Sequence, residues 1–471
     1  MTGLNKYRAY LEYNFTNIEG LVQLPSHWEL KQVRYLLKDG VEGTKIGPFG
    51  SSLKLEDMVD DGVQVYGQEN VIKRDFSLGK RRISFNKFKG MGVYEVFSGD
   101  ILITMMGTSG KCEIVPQTAE KGIIDSHLIR VRVNNKLIIP DFFKLLVDES
   151  PEIKHQIKIQ GKGSIMLGLN SGVIRSLYLP LPNVSEQQII LSFLDYETAK
   201  IDNLIEKQQQ LIELLKEKRQ AVISHAVTNG LNPDVPMKDS GVEWLGKVPK
   251  HWTIAQLKFN TLEMQTGPFG SQLHAEDYVV DGIPLINPAH MNAGMIIPDP
   301  KVTVDETTQE RLERHKLSEG EIIFSRRGEL GRCAVVKKNN EGWLCGTGSL
   351  KAKLTKKIIP DYAYTLISSE GVVSELTLES KGSTMANLNT ETLGRIRLPV
   401  PPISEQEAIL DYIKIFSDKY DYLIRSADTA IRLMQERRTA LISAAVTGKI
   451  DVRDWIAPEA QGVEEPQEAN A

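Results

Sequence analysis

The most regular hydrophobic pattern of the chain lies in two long stretches, residues 185–228 and 404–447. The positions that recur every seven residues are Leu194, Ile201, Gln208, Leu215 and Val222 in the first stretch and Ile413, Tyr420, Ala427, Met434 and Leu441 in the second. This spacing is typical of a long helix that packs against a partner helix. We predict that the two helices pair as an antiparallel coiled coil, the alternative being that each packs on its own domain.

Both stretches follow a proline-rich segment and open with Ser-Glu-Gln. This opening predicts a capping box at each helix start, Ser185 with Gln188 and Ser404 with Glu407. A second set of apolar residues lies beside the seven-residue positions, and we expect it to need cover beyond one partner helix. This set is Ile205, Ile212, Ala226, Ile424, Ile431 and Ala445.

The remainder of the chain consists of one unit that occurs twice. Gly47-Pro48-Phe49-Gly50-Ser51 returns as Gly267-Pro268-Phe269-Gly270-Ser271, and Lys162-Gly163-Ser164 returns as Lys381-Gly382-Ser383, in the same order. The predicted parts are a first head (1–182), a first long helix (183–229), a linker (230–240), a second head (241–402), a second long helix (403–448) and an acidic, disordered tail (449–471).

Each head combines strand and helix patterns. Apolar alternation around Gln64–Tyr66, Ile101–Thr104 and Leu128–Val133 predicts strands. Asp141–Val147 and Asp361–Ile367 are predicted to be short helices capped by the aspartate that follows a proline. The fold class is therefore α+β, with two repeated heads separated by two long helices.

Composition is that of an ordinary soluble protein, with 41% hydrophobic and 25% charged residues in 471. No stretch reaches the roughly 18 apolar residues that span a bilayer, so a cytoplasmic location is expected. Cys112, Cys333 and Cys345 lack the spacing of a zinc site or a disulfide framework. The net charge is −4, yet a nearly neutral protein still binds nucleic acid where its basic residues cluster.

One pattern in the first head suggests a nuclease. Asp141, Glu152 and Lys154 have the order of two metal-binding carboxylates and a lysine. The second head has Val372 and Ser374 at the positions equivalent to Glu152 and Lys154, which removes the metal ligand and the base. We therefore interpret Asp141 as a helix cap.

A methyltransferase site is not indicated either. Asn287-Pro288-Ala289-His290 lacks the second proline and the aromatic residue of an amine-handling motif, and the Gly-Pro-Phe-Gly turns are too short for a dinucleotide loop. We predict neither catalytic nor metal-binding residues in this chain.

The doubled order of parts resembles the specificity subunit of type I restriction–modification systems. The resemblance covers the whole chain, including the Pro-x-Pro…Ser-Glu-Gln helix entries and the helix ends at 218–228 and 437–448. It implies a non-catalytic subunit that places two methyltransferase subunits, and translocating nuclease subunits in the larger complex, on a bipartite double-stranded DNA target. Each head would read one half-site and the coiled coil would set the spacer, with S-adenosylmethionine, ATP and Mg on the partner subunits.

The alternative is a duplicated scaffold that holds two protein partners without reading DNA. If DNA is the ligand, basic and polar residues near glycine turns are the candidates for contact, because turns can enter a groove. In the first head these are Lys45, Ser51, Ser52, Lys80, Arg81, Arg82 and Lys111. In the second head they are Ser271, Gln272, Arg326, Arg327 and Arg332.

Overall fold

The computed structural model describes residues 7–160, 169–328, 330–380 and 388–458. The repeated Lys-Gly-Ser motifs at 162–164 and 381–383 lie outside these residues. Two compact units are present, one formed by the described residues up to 209 together with those from 429 onward, the other by residues 210–428. Each unit therefore contains one head, the first part of the long helix that follows it, and the last part of the other long helix.

The first head contains thirteen strands and five helices in its described residues. The strands are β1 (Tyr13–Ile18), β2 (Leu21–Pro25), β3 (Glu29–Gln32), β4 (Thr44–Ile46), β5 (Met58–Val59), β6 (Val63–Tyr66), β7 (Arg82–Ile83), β8 (Glu95–Val96), β9 (Ile101–Thr104), β10 (Cys112–Ile114), β11 (Gly122–Ile124), β12 (Leu128–Val131) and β13 (Tyr178–Leu181). The helices are α1 (Gln68–Ile72), α2 (Phe85–Lys89), α3 (Pro140–Glu149), α4 (Pro151–Gln160) and α5 (Ser171–Ser176). The first long helix, α6 (Val184–Asn229), follows.

The second head contains fourteen strands and four helices in its described residues. Its strands are β14 (Met237–Asp239), β15 (Lys247–Pro249), β16 (Thr253–Gln256), β17 (Thr261–Thr266), β18 (Tyr278–Val279), β19 (Ile283–Ile286), β20 (Met291–Asn292), β21 (Met295–Ile296), β22 (Thr303–Val304), β23 (Ile322–Ser325), β24 (Cys333–Val335), β25 (Leu344–Cys345), β26 (Ser349–Leu354) and β27 (Arg397–Val400). Its helices are α7 (Glu306–Arg311), α8 (Pro360–Ile367), α9 (Glu370–Ser380) and α10 (Thr390–Arg395), and the second long helix is α11 (Ile403–Val446).

The two heads share the topology of their four-stranded antiparallel sheet, whereas the second sheet has five strands in the first head and four in the second. An antiparallel four-stranded sheet has the order β10-β9-β12-β4 in the first head and β24-β23-β26-β17 in the second. A second sheet contains one parallel pair, β6 with β11 in the first head and β19 with β25 in the second. The predicted mixed architecture, with two repeated heads and two long helices, is confirmed.

The central strand of each four-stranded sheet is buried on both faces. In β9, Ile101 and Ile103 belong to the core that contains Phe142 of α3, whereas Leu102 belongs to the core around Tyr66. Strand β23 alternates in the same way between the two cores of the second head. This placement explains why both strands are continuous apolar runs rather than alternating ones.

Each long helix is fixed to its own head by a Glu-Gln pair, which we call the helix anchor. In the first unit, Glu186 accepts hydrogen bonds from the hydroxyl of Tyr10 (2.7 Å) and from Nε1 of Trp28 (3.0 Å), and His27 Nε2 lies 3.0 Å from its carboxylate. Burial, together with the hydrogen bond to Glu186, raises the pKa of Tyr10, so the hydroxyl remains a donor. Gln187 is fully buried and completes this anchor.

Gln187 satisfies three backbone groups. Its Oε1 accepts from Ile139 N (2.8 Å), and its Nε2 donates to Leu137 O and Pro182 O (2.9 Å each). In the second unit Gln406 makes the equivalent contacts, and Glu405 accepts from Trp252 Nε1 (2.9 Å) and lies 2.7 Å from His251 Nε2. The Glu and Gln of the Ser-Glu-Gln motif therefore join helix and head.

The predicted capping boxes are wrong. Helix α6 begins at Val184, and the side chain of Asn183 accepts from Glu186 N (2.9 Å), while Ser185 and Gln188 are exposed. Helix α11 begins at Ile403, where Glu405 N donates to Pro402 O (2.9 Å). In both helices the serine is thus two positions too late to cap the helix.

The predicted aspartate caps of the short helices are also wrong. Helices α3 and α8 have the isoleucine before the proline at the cap position, and no side chain caps either helix. Asp141 and Asp361 lie in the first turn, where the helix dipole favours a carboxylate.

The long helices run antiparallel within each unit. In the first unit Arg438 contacts Asp202 (3.1 Å), while Trp455, further along the chain, packs on Tyr196, which precedes Asp202. In the second unit Arg219 pairs with Asp421, and the hydroxyl of Tyr362 lies near both Val227 O (3.3 Å) and Pro399 O (3.4 Å). The helices pair, and each also packs on its own head.

The ten positions with seven-residue spacing are all buried or half-buried. Leu194, Ile201, Ile413, Tyr420, Ala427 and Leu441 are buried, and Gln208, Leu215, Val222 and Met434 are half-buried. Of the second apolar set, Ile212, Ala226 and Ala445 are also buried within their units. Ala226 packs in the core of the second head and Ala445 in the core of the first, so the chain itself supplies their cover beyond one partner helix.

Two further segments are more ordered than predicted. In the segment 449–458, Ile450 and Val452 are buried in the core of the first unit and Trp455 packs against Phe193. The predicted disordered tail is therefore wrong for this part. In the predicted linker, β14 pairs with β15.

Among the described helices, none is long and apolar enough to cross a membrane.

We predict that Gln187→Ala destabilises the first unit by about 2–4 kcal/mol, because it leaves three buried backbone groups without partners. The matched control is Gln188→Ala, an exposed neighbour on the same helical turn, which should change stability by less than about 0.5 kcal/mol. The urea midpoint of unfolding measures both. Equal midpoints for the two variants would show that the helix anchor contributes nothing.

Candidate nucleic-acid interface

Three loop segments converge at one end of the first head, and we call this surface the first loop face. It consists of the turn at 47–52, the hairpin loop at 105–111 and the segment 125–127. Gly47 N donates to Leu128 O (3.0 Å) and Met105 N to His127 O (2.9 Å), so the turn and the hairpin loop are both held by the chain around the start of β12. A Cβ on Gly47 would lie 1.8 Å from Asp125 O, so only glycine allows this approach.

The second loop face is built in the same way from the turn at 267–272, the hairpin loop at 326–332 and the segment 346–348. Gly267 N donates to Ser349 O and Arg326 N to Gly348 O, both at 2.9 Å. A Cβ on Gly267 would lie 1.8 Å from Gly346 O. The two heads therefore hold their loops with the same backbone contacts, although Glu329 lies outside the described residues.

Most of the basic residues predicted to contact DNA in the first head form ion pairs with carboxylates. Arg81 pairs with buried Asp125 (2.9 Å), and Lys111 pairs with buried Asp148 (2.8 Å). Arg82 donates to Gly62 O (3.0 Å) and pairs with Glu120 (2.7 Å), and this contact lowers the pKa of the Glu120 carboxyl.

The remaining candidates of the first head are less constrained. Lys45 lies in β4, 3.5 Å from Glu42, while Lys80 and Ser52 are exposed. The backbone of Ser51 lies in the turn, and its side chain is outside the described part of the structure. Of the seven candidates, Ser51, Ser52 and Lys111 belong to the first loop face. Lys80 and Arg81 precede β7 and Arg82 begins it, and Arg81 contacts the first loop face through Asp125.

All five candidates of the second head belong to the second loop face. Arg326 Nε donates to Leu388 O and Arg332 Nη1 to Pro288 O, both at 3.3 Å. The carbonyl partner of Arg326 orients its guanidinium without cancelling the charge. Arg327 and Ser271 are exposed, and the Gln272 side chain accepts from Phe269 N (3.2 Å).

Several residues of the loop faces escaped the sequence analysis. Asp125 organises the first face, because its Oδ1 accepts from His127 N (2.9 Å) while Oδ2 holds Arg81. The aromatic rings of Phe49 and Phe269 are exposed at the tips of the two turns. The repeat of Gly-Pro-Phe-Gly in both heads is the sequence signal for these rings.

The nuclease pattern does not form a site in the first unit. Glu152 accepts from Ser443 Oγ (2.6 Å) and pairs with Lys449 (2.9 Å), both near the end of α11. Its carboxylate therefore connects the head to the second long helix. Among the residues that the structure describes, no group of three or more His, Cys, Asp and Glu side chains could hold a metal ion.

Comparison with known proteins identifies the family. The model of the type I restriction modification DNA specificity domain matches residues 66–214 and 262–425, one match in each half of the chain. The EcoBI specificity subunit of Escherichia coli is 22% identical over 361 residues, which cover 76% of this chain and 75% of that protein. The MjaVIII specificity subunit of Methanocaldococcus jannaschii is 22% identical over 453 residues, covering 94% and 98%.

Solved structures share the fold. A chain from a study of complex assembly and conformational transition of the type I R-M system superimposes with a TM-score of 0.64 at 14% identity, covering 91% of this chain and 99% of that chain. The HsdS subunit from Thermoanaerobacter tengcongensis gives a TM-score of 0.52 at 14% identity, covering 91% and 98%. The matched domains, the relatives and the repeated heads lead to one conclusion: this chain belongs to the family of DNA specificity subunits of type I restriction–modification systems.

Proposed function

We propose that the chain reads a bipartite target in double-stranded DNA, one half-site with each loop face, and has no catalytic activity of its own. The observation that carries this proposal is the construction of two loop faces on the same backbone contacts with different side chains. Equal frames give both heads the same way of approaching DNA, and different side chains give each a different base preference.

The difference between the loop faces is chemical. In the first, Asp125 is the polar centre and it fixes Arg81. In the second, the segment 346–348 has no acidic residue, and Gly348 N donates to Asn287 Oδ1 (3.1 Å) instead. The arginines at 326, 327 and 332 give the second face donors that match the major-groove acceptors of guanine.

The long helices are proposed to set the unread spacer between the half-sites. Both α6 and α11 are continuous, and each has residues in both compact units. A continuous helix rises about 1.5 Å per residue, so the number of its residues sets the distance between its ends.

Two methyltransferase subunits are proposed to dock on the outer faces of the helices. The seam does not use all the apolar residues of α6 and α11. Ile415 and Tyr422 of α11, spaced by seven residues, are exposed, as are Leu211 and Leu214 of α6 in the same unit and Leu204 of α6 in the first unit. Exposed apolar residues with helical spacing are typical of a protein-binding surface. S-adenosylmethionine, ATP and Mg are proposed to belong to the partner subunits, including the restriction subunits.

Salt dependence tests whether DNA is the ligand. We expect the logarithm of the affinity to fall steeply and linearly with the logarithm of the salt concentration, because several phosphate contacts release counterions. Arg327→Ala should reduce the slope of this plot by about one unit. Lys258 is an exposed lysine near the start of β17, and Lys258→Ala should leave the slope unchanged. Binding of the assembled complex to labelled duplex measures both. A flat salt response would favour the scaffold that holds proteins without reading DNA.

A head exchange tests bipartite reading. Replacing residues 241–402 with the equivalent head of a relative exchanges the paired strands β16 and β27 together and leaves both long helices intact. We expect the methylated sequence to change in one half-site only, with the same spacer. Methylation mapping in cells that carry the chimera and its partners gives the readout, and a change in both half-sites would contradict independent heads.

A further inference from the structure

Each head presents one exposed phenylalanine at the tip of its Gly-Pro-Phe-Gly turn. Phe49 is 59% exposed and Phe269 is 62% exposed. A single exposed apolar side chain needs no explanation, but the same ring at the same place in two heads with different loop residues does.

The backbone that carries these rings is the same in both heads. Gly50 and Gly270 have φ values of 57° and 60°, in the left-handed region that favours glycine. Ser52 N donates to Phe49 O (3.2 Å) and Gln272 N to Phe269 O (3.3 Å), and both turns begin at the glycine that admits no Cβ. Each ring is therefore carried on a fixed turn of a loop face.

A group that is identical in two readers of different sequences cannot select between bases. Its contact must be with something common to both half-sites. The minor groove provides such a surface, because its hydrogen-bonding pattern is degenerate and its walls are deoxyribose. Proteins that use this groove insert apolar side chains beside basic residues.

We propose that Phe49 and Phe269 are a matched pair of apolar wedges, one per half-site, that enter the minor groove and contact sugars and base edges independently of sequence. This inference rests on the proposed DNA-reading function. The charge of the second face favours DNA over a protein partner, because Arg326 and Arg327 belong to the hairpin loop on the same face as Phe269. In the first head Lys111, which is equivalent to Arg332, lies on the same face as Phe49 and pairs with Asp148.

The test uses the complete chain assembled with its methyltransferase subunits. We expect Phe49→Ala and Phe269→Ala each to weaken binding to the target duplex about tenfold, and the double variant about a hundredfold, the size of aromatic contacts with nucleic acid. The factor should be the same on duplexes of unrelated sequence, and the methylated motif should not change. Phe→Leu at both positions should restore most of the affinity, because the contact needs an apolar shape.

Tyr35 and Phe259 provide the matched control. Both are 66% exposed, one in each head. Phe259 lies just before the six-residue strand β17 whose other end leads to Phe269, a separation of about 20 Å along the strand. The double alanine variant at these two positions should bind DNA like the unaltered chain.

Minor-groove entry has its own readout. Replacing the adenines of the duplex with 2,6-diaminopurine adds amino groups to the minor groove. This replacement should weaken binding by the unaltered chain and have little effect on the Phe49→Ala/Phe269→Ala variant.

The outcomes separate this inference from the function on which it rests. If the unaltered complex does not bind its target, the DNA-reading function fails. If it binds and the double alanine variant binds equally well, only the wedges are overturned. They are also overturned if the variant loses its methyltransferase subunits, or if its methylated motif changes, since the rings would then contact protein or select bases.

Discussion

The hydrogen bonds of the Glu-Gln pair at the start of each long helix are the interactions on which the architecture depends. Glu186, Gln187 and Gln406 are buried, and Glu405 is half-buried. Glu186 and Gln187 bind side chains and backbone groups of the first head, and Glu405 and Gln406 do the same in the second. An unpaired buried polar group costs far more than a hydrogen bond contributes, so these contacts must form together or not at all. The direction of each helix relative to its head is fixed as a result.

Close backbone packing fixes the loop faces. Each face lies at the end of a four-stranded sheet that is buried on both sides, and its first turn begins at a glycine that approaches a neighbouring carbonyl more closely than any other residue could. Within this fixed backbone the side chains of the hairpin loops are free to differ. A rigid frame that carries variable loops lets the side chains of a binding surface change without a change of fold.

Basic residues at such a face do not all serve the same purpose. Arg81 and Lys111 are charged and near loops, yet each neutralises a buried aspartate of its own head, so their removal would disturb the frame before it affected a ligand. Arg327 is exposed, and its described contacts include no buried carboxylate. The partner of a charge, more than its position in the sequence, indicates which basic residues are available to DNA.

The sequence by itself determined the duplication, several strands and short helices of the heads and the two long helices, because hydrophobic periodicity and repeated motifs are local properties. It also predicted the family through the order of these parts. Tertiary structure alone decided that Ile212 and Ala226 are covered within the chain and that residues 449–458 complete the core of the first unit. It also decided that Glu152 binds the end of the second long helix and does not belong to a metal site. These outcomes depend on pairing between residues far apart in the sequence, and spacing along one segment carries no information about the partner that another segment provides.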